Sequence, residues 1–203
     1  MTATLNSNRN QPVTEHLARA LPKSLGLLAV SLVLALALGL YLGMAAALRR
    51  HGPLSGVLLF ASTLGISTPA YFAAMLLIWF SLWLYKSTGQ HILPVAGFGW
   101  DGHLLLPSLV LAARPAAVVT RLGYNALIEI LDADYVRTAR SKGLRQSVIL
   151  VRHVLRNAGV PILTTAVVSL RFSLAVLPIV EYIFNWPGIG LMLLKAIQAQ
   201  DTA

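Results

Sequence analysis

Cysteine is absent from the 203 residues. That excludes a disulfide framework, a thiolate metal site and a cysteine nucleophile. Charge is scarce: Asp, Glu, Lys and Arg make up 11% of the chain, against about 25% in an average soluble domain. Only seven residues are acidic. Asp132 and Asp134 imply no hydrolytic pocket, so an enzyme reading is poor. His16, His51, His91, His103 and His153 show no metal-ligand spacing. Met1 to Lys23 is polar and lacks a short apolar core, so no cleavable signal peptide is expected.

Apolar residues fill the space that charge leaves. They make up 57% of the chain, and mean hydropathy is +0.72. Ser24–Leu48 has no charge in 25 residues, and Leu54–Tyr85 has none in 32. A helix needs about 20 apolar residues to cross the hydrocarbon, so these runs are too long for core helices of a soluble domain. The expected fold is all-α: one polytopic membrane helix bundle over residues 1–203 with about four spans. They are placed at about 24–48, 60–84, 104–123 and 159–184. Pro69 falls near the start of the second, Pro107 and Pro115 interrupt the third, and Pro161 and Pro178 sit near the ends of the fourth. Neighbouring helices can satisfy the carbonyls that these prolines free. Trp79, Trp83, Tyr85, Trp100, Tyr182 and Trp186 lie near span ends, as an aromatic belt would. Ser62, Thr63, Ser67 and Thr68 form a polar row of the kind that joins helices or caps a broken one.

A net charge of +9 could suggest nucleic acid, but in a membrane chain the distribution of Lys and Arg over the loops is the better guide. Loops 49–56 and 121–158 carry nine: Arg49, Arg50, Arg121, Arg137, Arg140, Lys142, Arg145, Arg152 and Arg156. The opposite side carries five: Arg9, Arg19, Lys23, Lys86 and Lys195. This bias predicts a cytoplasmic 132–158 loop and both termini outside. Within that loop Asp132 or Asp134 is a candidate N-cap for a first short helix, and Gly143 ends it. Ser147 is placed to cap a second, with Val148, Val151 and Leu155 on one apolar stripe. Such a helix–Gly–helix either lies on anionic lipid or docks into a groove of a cytoplasmic partner.

The stretch Asp134-Tyr135-Val136-Arg137-Thr138-Ala139-Arg140-Ser141-Lys142-Gly143-Leu144, followed by Arg152-His153-Val154-Leu155-Arg156-Asn157-Ala158 and Pro161, resembles a loop of ABC-transporter permeases. The similar group is the B-type dipeptide/oligopeptide/nickel subunits of binding-protein-dependent importers. Ser141 departs from its usual Ala. In the wider superfamily this is the EAA loop, whose short helix sits in a cleft of the ATPase subunit; only Ala139 and Gly143 keep that broader pattern. Leu21-Pro22, Leu93-Pro94-Val95-Ala96-Gly97, His103-Leu104 with Pro107, and Glu181 to Gly190 (EYIFNWPGIG) extend the resemblance in order, from about Gln11 to Asp201. That family usually has six spans, so one helix at each end is expected to be missing from the four seen here. The chain would then be a fragment, a truncated product or a non-transporting remnant.

The resemblance implies a permease subunit of an ATP-driven importer in the bacterial inner membrane, taking peptides, nickel or a related solute. Its partners would be a second permease subunit, homologous or identical, two ATP-binding subunits, an extracytoplasmic solute-binding protein and the bilayer, with no nucleic acid. No GxxxxGK[ST] sequence occurs, so this chain is expected to bind no cofactor, and ATP/Mg belongs on the partner ATPase. The implied coupling residues are Tyr135, Arg137, Thr138, Ala139, Arg140, Lys142, Gly143 and Leu144. Arg114 and Arg171 are not explained by the resemblance, since the family usually has uncharged residues there. Near a span centre an unpaired charge costs at least about 2.5–3.5 kcal/mol. Either they line a substrate path together with Glu181 and meet an anionic solute group, or they pair with Glu181 or an acid elsewhere, or they snorkel. Two other functions remain open: an ATP-independent secondary transporter or channel, and the remnant that transports nothing.

Overall fold

The computed structural model describes residues 13–90, 92–143, 148 and 156–198. It contains helices α1 (Val13–Leu48), α2 (Pro53–Ser67), α3 (Ala70–Thr88), α4 (Leu105–Leu131), α5 (Asp134–Ser141), α6 (Arg156–Ile183) and α7 (Ile189–Gln198), and no strand among the described residues. Four of them, α1, α3, α4 and α6, are long and apolar enough to cross a membrane. The all-α polytopic bundle is thus the observed fold. Leu144, His91 and all of the expected second loop helix except Val148 and its last residues lie outside the described residues.

Helix α4 is the centre of the bundle: α1, α2, α3 and α6 all pack on it. Its closest neighbour, α1, meets it through small side chains spaced four apart. Ser31, Ala35, Gly39, Gly43 and Ala47 are buried on α1, and Ser108, Ala112, Ala116 and Thr120 are buried on α4. A Cβ placed on Gly39 would lie 2.7 Å from the Val119 Cβ and 2.8 Å from the Ala116 carbonyl oxygen. One on Gly43 would lie 2.9 Å from the Thr120 carbonyl oxygen. In lipid, where hydrophobicity does not drive helices together, such close backbone approach supplies the packing energy. Larger side chains gather at the two ends of this seam. One cluster holds Leu127, Leu131, Val136, Ala158 and Ile162; the other holds Leu27, Leu106, Val180, Phe184 and Trp186.

Helix α1 starts eleven residues before the span expected from Ser24, and it runs straight through Pro22. The Glu15–Arg19 pair, one turn apart, supports this added segment. The second expected span, 60–84, is not one helix. It breaks at Thr68-Pro69 into α2 and α3, because a residue before proline avoids helical geometry. Thr68 accordingly has ψ 123° and Pro69 ψ 139°. The polar row serves the break. The Thr68 hydroxyl donates to the Leu64 carbonyl at 2.7 Å, and Ser62 and Thr63 donate to that of Leu59. Pro115, inside α4, removes the N–H that would reach the Leu111 carbonyl. Ser173 of α6 donates to that same oxygen at 3.3 Å. Helix α4 extends eight residues past the expected end, to Leu131, before the loop helix begins.

Candidate functional site

Three groups of residues are candidates, one at each end of the bundle and one at mid-depth. At the basic end, Arg50 in the α1–α2 turn donates to both oxygens of Asp132 at 2.7 and 2.8 Å. These hydrogen bonds raise the Arg50 pKa further above its already high ordinary value. The pair ties the 49–52 turn to the end of α4, where α5 begins. Asp132 is therefore the C-cap residue of α4 rather than an N-cap. Asp134 is no N-cap either: the Ala133 carbonyl accepts the first bonds of α5, from the Val136 and Arg137 N–H groups. Asp134 instead occupies the first turn, where its charge suits the helix dipole.

Among its described side chains, helix α5 buries Val136 against the bundle. Val136 is fully buried among Leu127, Leu131, Ala158 and Ile162. Tyr135, Arg137, Thr138 and Lys142 are exposed. The Thr138 hydroxyl is turned back to the Asp134 carbonyl, and Arg137 stands 3.7 Å from the Asp134 carboxylate. Gly143 follows with φ +74°, a left-handed residue that ends the helix where a side chain would strain the backbone. Ala139 and Arg140 belong to the same helix.

At the opposite end Glu181 is fully buried and meets neither arginine. One carboxyl oxygen accepts from the Ser24 hydroxyl at 2.5 Å, the other from the Leu191 N–H at 2.9 Å. Ser24 in turn accepts from the Ile189 N–H at 2.8 Å. Residues from α1 and α6 thus cap the first turn of α7, where acceptors and negative charge are favourable. Trp186 donates its indole N–H to the Lys23 carbonyl and its backbone N–H to that of Glu181, at 3.2 and 2.8 Å. Its ring meets Phe98 edge-on at 4.8 Å and Trp100 at 6.1 Å. This clasp closes without space to spare, since a Cβ on Gly188 would overlap both Glu181 and Ser24. Nearby, Asp101 accepts from the ring and backbone of His103 at 2.7 and 3.1 Å, which lowers its pKa below the usual carboxylate range.

The third group surrounds a cavity of about 200 Å³ at the α2–α3 break. Thr68, Pro69 and Ala70 line one side of it, and Arg114, Phe172 and Ser173 the other. Arg114 is nine residues into α4, about 14 Å from its start. In a hydrocarbon layer of about 30 Å that is mid-depth. Its guanidinium carbon lies 4.4 Å from the centre of the Phe172 ring, and that of Arg171 lies 4.8 Å from the same centre. Both arginines are exposed, and among the described residues neither has a carboxylate within 4.0 Å. A cation–π contact is worth about 0.5–2 kcal/mol, which offsets part of the cost of each charge at this depth. Glu181 lies ten residues beyond Arg171, about 15 Å along α6, and so supplies no counter-charge.

Residues 35–203 carry the signature of the binding-protein-dependent transport system inner membrane component. The chain belongs to this family. Among curated relatives it is 36% identical over 192 residues to the dipeptide transport system permease protein DppB of Lactococcus lactis subsp. cremoris, covering 95% of this chain and 62% of that protein. It is 34% identical over 191 residues to the glutathione transport system permease protein GsiC of Pectobacterium atrosepticum, covering 94% and 61%. The chain therefore spans about three fifths of the length of these relatives. As a binding-protein-dependent inner membrane component it is a multi-pass membrane protein, and its four long apolar helices are spans. Sequence reading identified the loop helix and both intramembrane arginines. It missed the small-residue seam, whose only signal is side-chain size every fourth residue, and the Ser24–Glu181–Leu191 clasp.

Proposed function

We propose that this chain is a membrane-spanning permease subunit of an ATP-driven importer for peptides, nickel or a related small solute. It performs no hydrolysis itself. ATP and magnesium are handled by two ATP-binding partner subunits, a solute-binding protein delivers cargo from outside, and a second permease subunit completes the pathway. The named functions of DppB and GsiC, dipeptide and glutathione transport, support this reading.

The observation that carries it is the surface of α5. Val136 anchors the helix to the ends of α4 and α6, and Tyr135, Arg137, Thr138 and Lys142 present an exposed surface to a partner. Facing the cytoplasm, this helix is the lever, with Ala139 and Arg140 on it and the Gly143-Leu144 bend after it. A force applied by the ATPase on α5 reaches two spans at once through Val136. Arg114 and Arg171 border the path that the solute takes. Glu181 braces α7 behind it.

The test is co-purification of an ATPase with the full chain from its native membranes, with and without Gly143→Pro. Proline holds φ near −65° and cannot take the left-handed backbone of Gly143. Recovery of an ATPase with the wild-type chain and its loss from the variant is expected. Recovery of no ATPase from intact membranes would overturn the reading.

A further inference from the structure

We infer that the mid-depth cavity at the α2–α3 break, lined by Arg114 and Phe172, is a recognition station for the carboxylate of the transported solute, with Arg171 beside it on the same Phe172 ring. The inference rests on the permease reading above and adds the chemical class of the cargo.

Three independent features converge there. First, two guanidinium groups share one aromatic ring, and among the described residues neither has an acidic partner. Unpaired cations at this depth are stabilised by a nearby anion, and a planar carboxylate matches the guanidinium fork in shape and charge. Second, the cavity that Arg114 lines is open enough, at about 200 Å³, for a small solute group. Third, Pro69 and Ala70 line the same cavity, and Ala70 begins a 19-residue helix with no side-chain cap. The first N–H groups of a helix lack partners within it and carry its positive end. Broken membrane helices elsewhere aim this end at anionic cargo. Phe172 offers an apolar face beside the charge, so a carboxylate attached to an aliphatic or aromatic body fits better than a small hydrated anion. Phosphate carried by a lipid headgroup has similar chemistry, but 14 Å from the helix start is deeper than headgroups lie.

Arginine-selective labelling with phenylglyoxal tests this in membranes containing the whole chain in its native assembly, with each site read by mass spectrometry. The probes are alanyl-alanine and alanyl-alanine amide, which differ only in the terminal charge. Labelling of Arg114 and Arg171 is expected, slowed at least fivefold by the acid and less than twofold by the amide. Arg49, distant from the cavity, should be indifferent to both. Arg114→Gln should remove the protection of Arg171, and Arg114→Lys should restore part of it. Equal protection by the two probes, or none, would overturn the inference. So would failure of both arginines to label, which would mean that lipid or a fixed acid covers them. Faster labelling in phosphatidylcholine vesicles than in vesicles containing phosphatidylglycerol, with no response to dipeptide, would assign the arginines to lipid and also overturn it. None of these outcomes depends on recovering an ATPase, so this inference and the permease reading can fail separately.

Discussion

Replacing Gly39 by alanine should destabilise the bundle although alanine is the better helix former. The new Cβ would lie 2.7 Å from Val119 Cβ and Cγ1 and 2.8 Å from the Ala116 carbonyl oxygen. Carbon atoms prefer about 3.5–4.0 Å, so α1 and α4 must separate locally by nearly 1 Å. Backbone oxygen cannot rotate away as a side chain would. Overpacking of this kind costs about 1–3 kcal/mol, while removing a helical glycine returns about 0.5–1 kcal/mol. The net loss is on the order of 1–2 kcal/mol. Gly56→Ala is the matched control, because Gly56 is in exposed α2 with nothing within 4 Å of a new Cβ. It should gain the helical term alone. At roughly 2–4 °C per kcal/mol for a chain of this size, the two variants should melt about 3–12 °C apart in detergent, with wild type between them. The assay is a thermal scan of tryptophan fluorescence on the purified chain. A Gly39→Ala midpoint at or above that of Gly56→Ala would refute the close approach of α1 and α4.

Two other substitutions probe the opposite end. Glu181→Ala removes two acceptors and leaves the Leu191 N–H and the Ser24 hydroxyl without their partner; at about 1–3 kcal/mol for each orphaned group, it should raise hydrogen exchange at Leu191 more than tenfold, and an unchanged rate would disprove the clasp. Asp101 has its pKa lowered chiefly by the His103 side chain, so its bonds steady the 101–104 turn above the ordinary carboxylate range and are lost as pH falls through the lowered value. Asp101→Asn should therefore make the exchange of the His103 amide, corrected for its intrinsic acid dependence, insensitive to pH between about 2 and 5, the range around an unperturbed Asp.

The spans were legible because a bilayer imposes a long, coarse signal: some twenty consecutive apolar residues are hard to mistake. Counting Lys and Arg put the 49–56 turn and the 132–158 loop on one side, and the Arg50–Asp132 pair joins the first of these to the start of the second. Finer features were lost where hydropathy says nothing. Within Leu54–Tyr85 every residue is uncharged, so apolar length alone ran the second span through Pro69, and the restriction on Thr68 had to decide the break. The α1–α4 seam distinguishes glycine, alanine and serine from leucine, a difference of size that an apolar average hides. Ser24 and Glu181 are 157 positions apart, and nothing local to either announces the other. Arg114 and Arg171 stood out as charges in spans, but only folding placed them on the same ring.

The two ends of the bundle differ in how firmly they are held, and this asymmetry bears on mechanism. Around Glu181 the bonds are buried, directional and backed by Trp186 and by glycines at which no Cβ fits. Breaking them leaves polar groups unpaired away from water, at about 1–3 kcal/mol apiece. At the basic end the tie between Arg50 and Asp132 is exposed, a class of pair worth about 0–1 kcal/mol. Among the described side chains of α5, Val136 is the one buried there, seated between α4 and α6. Movement imposed on this molecule therefore costs least at the basic end, where α5 is presented. The α1–α4 seam lies between the two ends and is packed too closely to bend, so it would carry that movement as a rigid strut. The strain then falls on the backbone already interrupted, at Thr68-Pro69, beside the cavity that Arg114 lines.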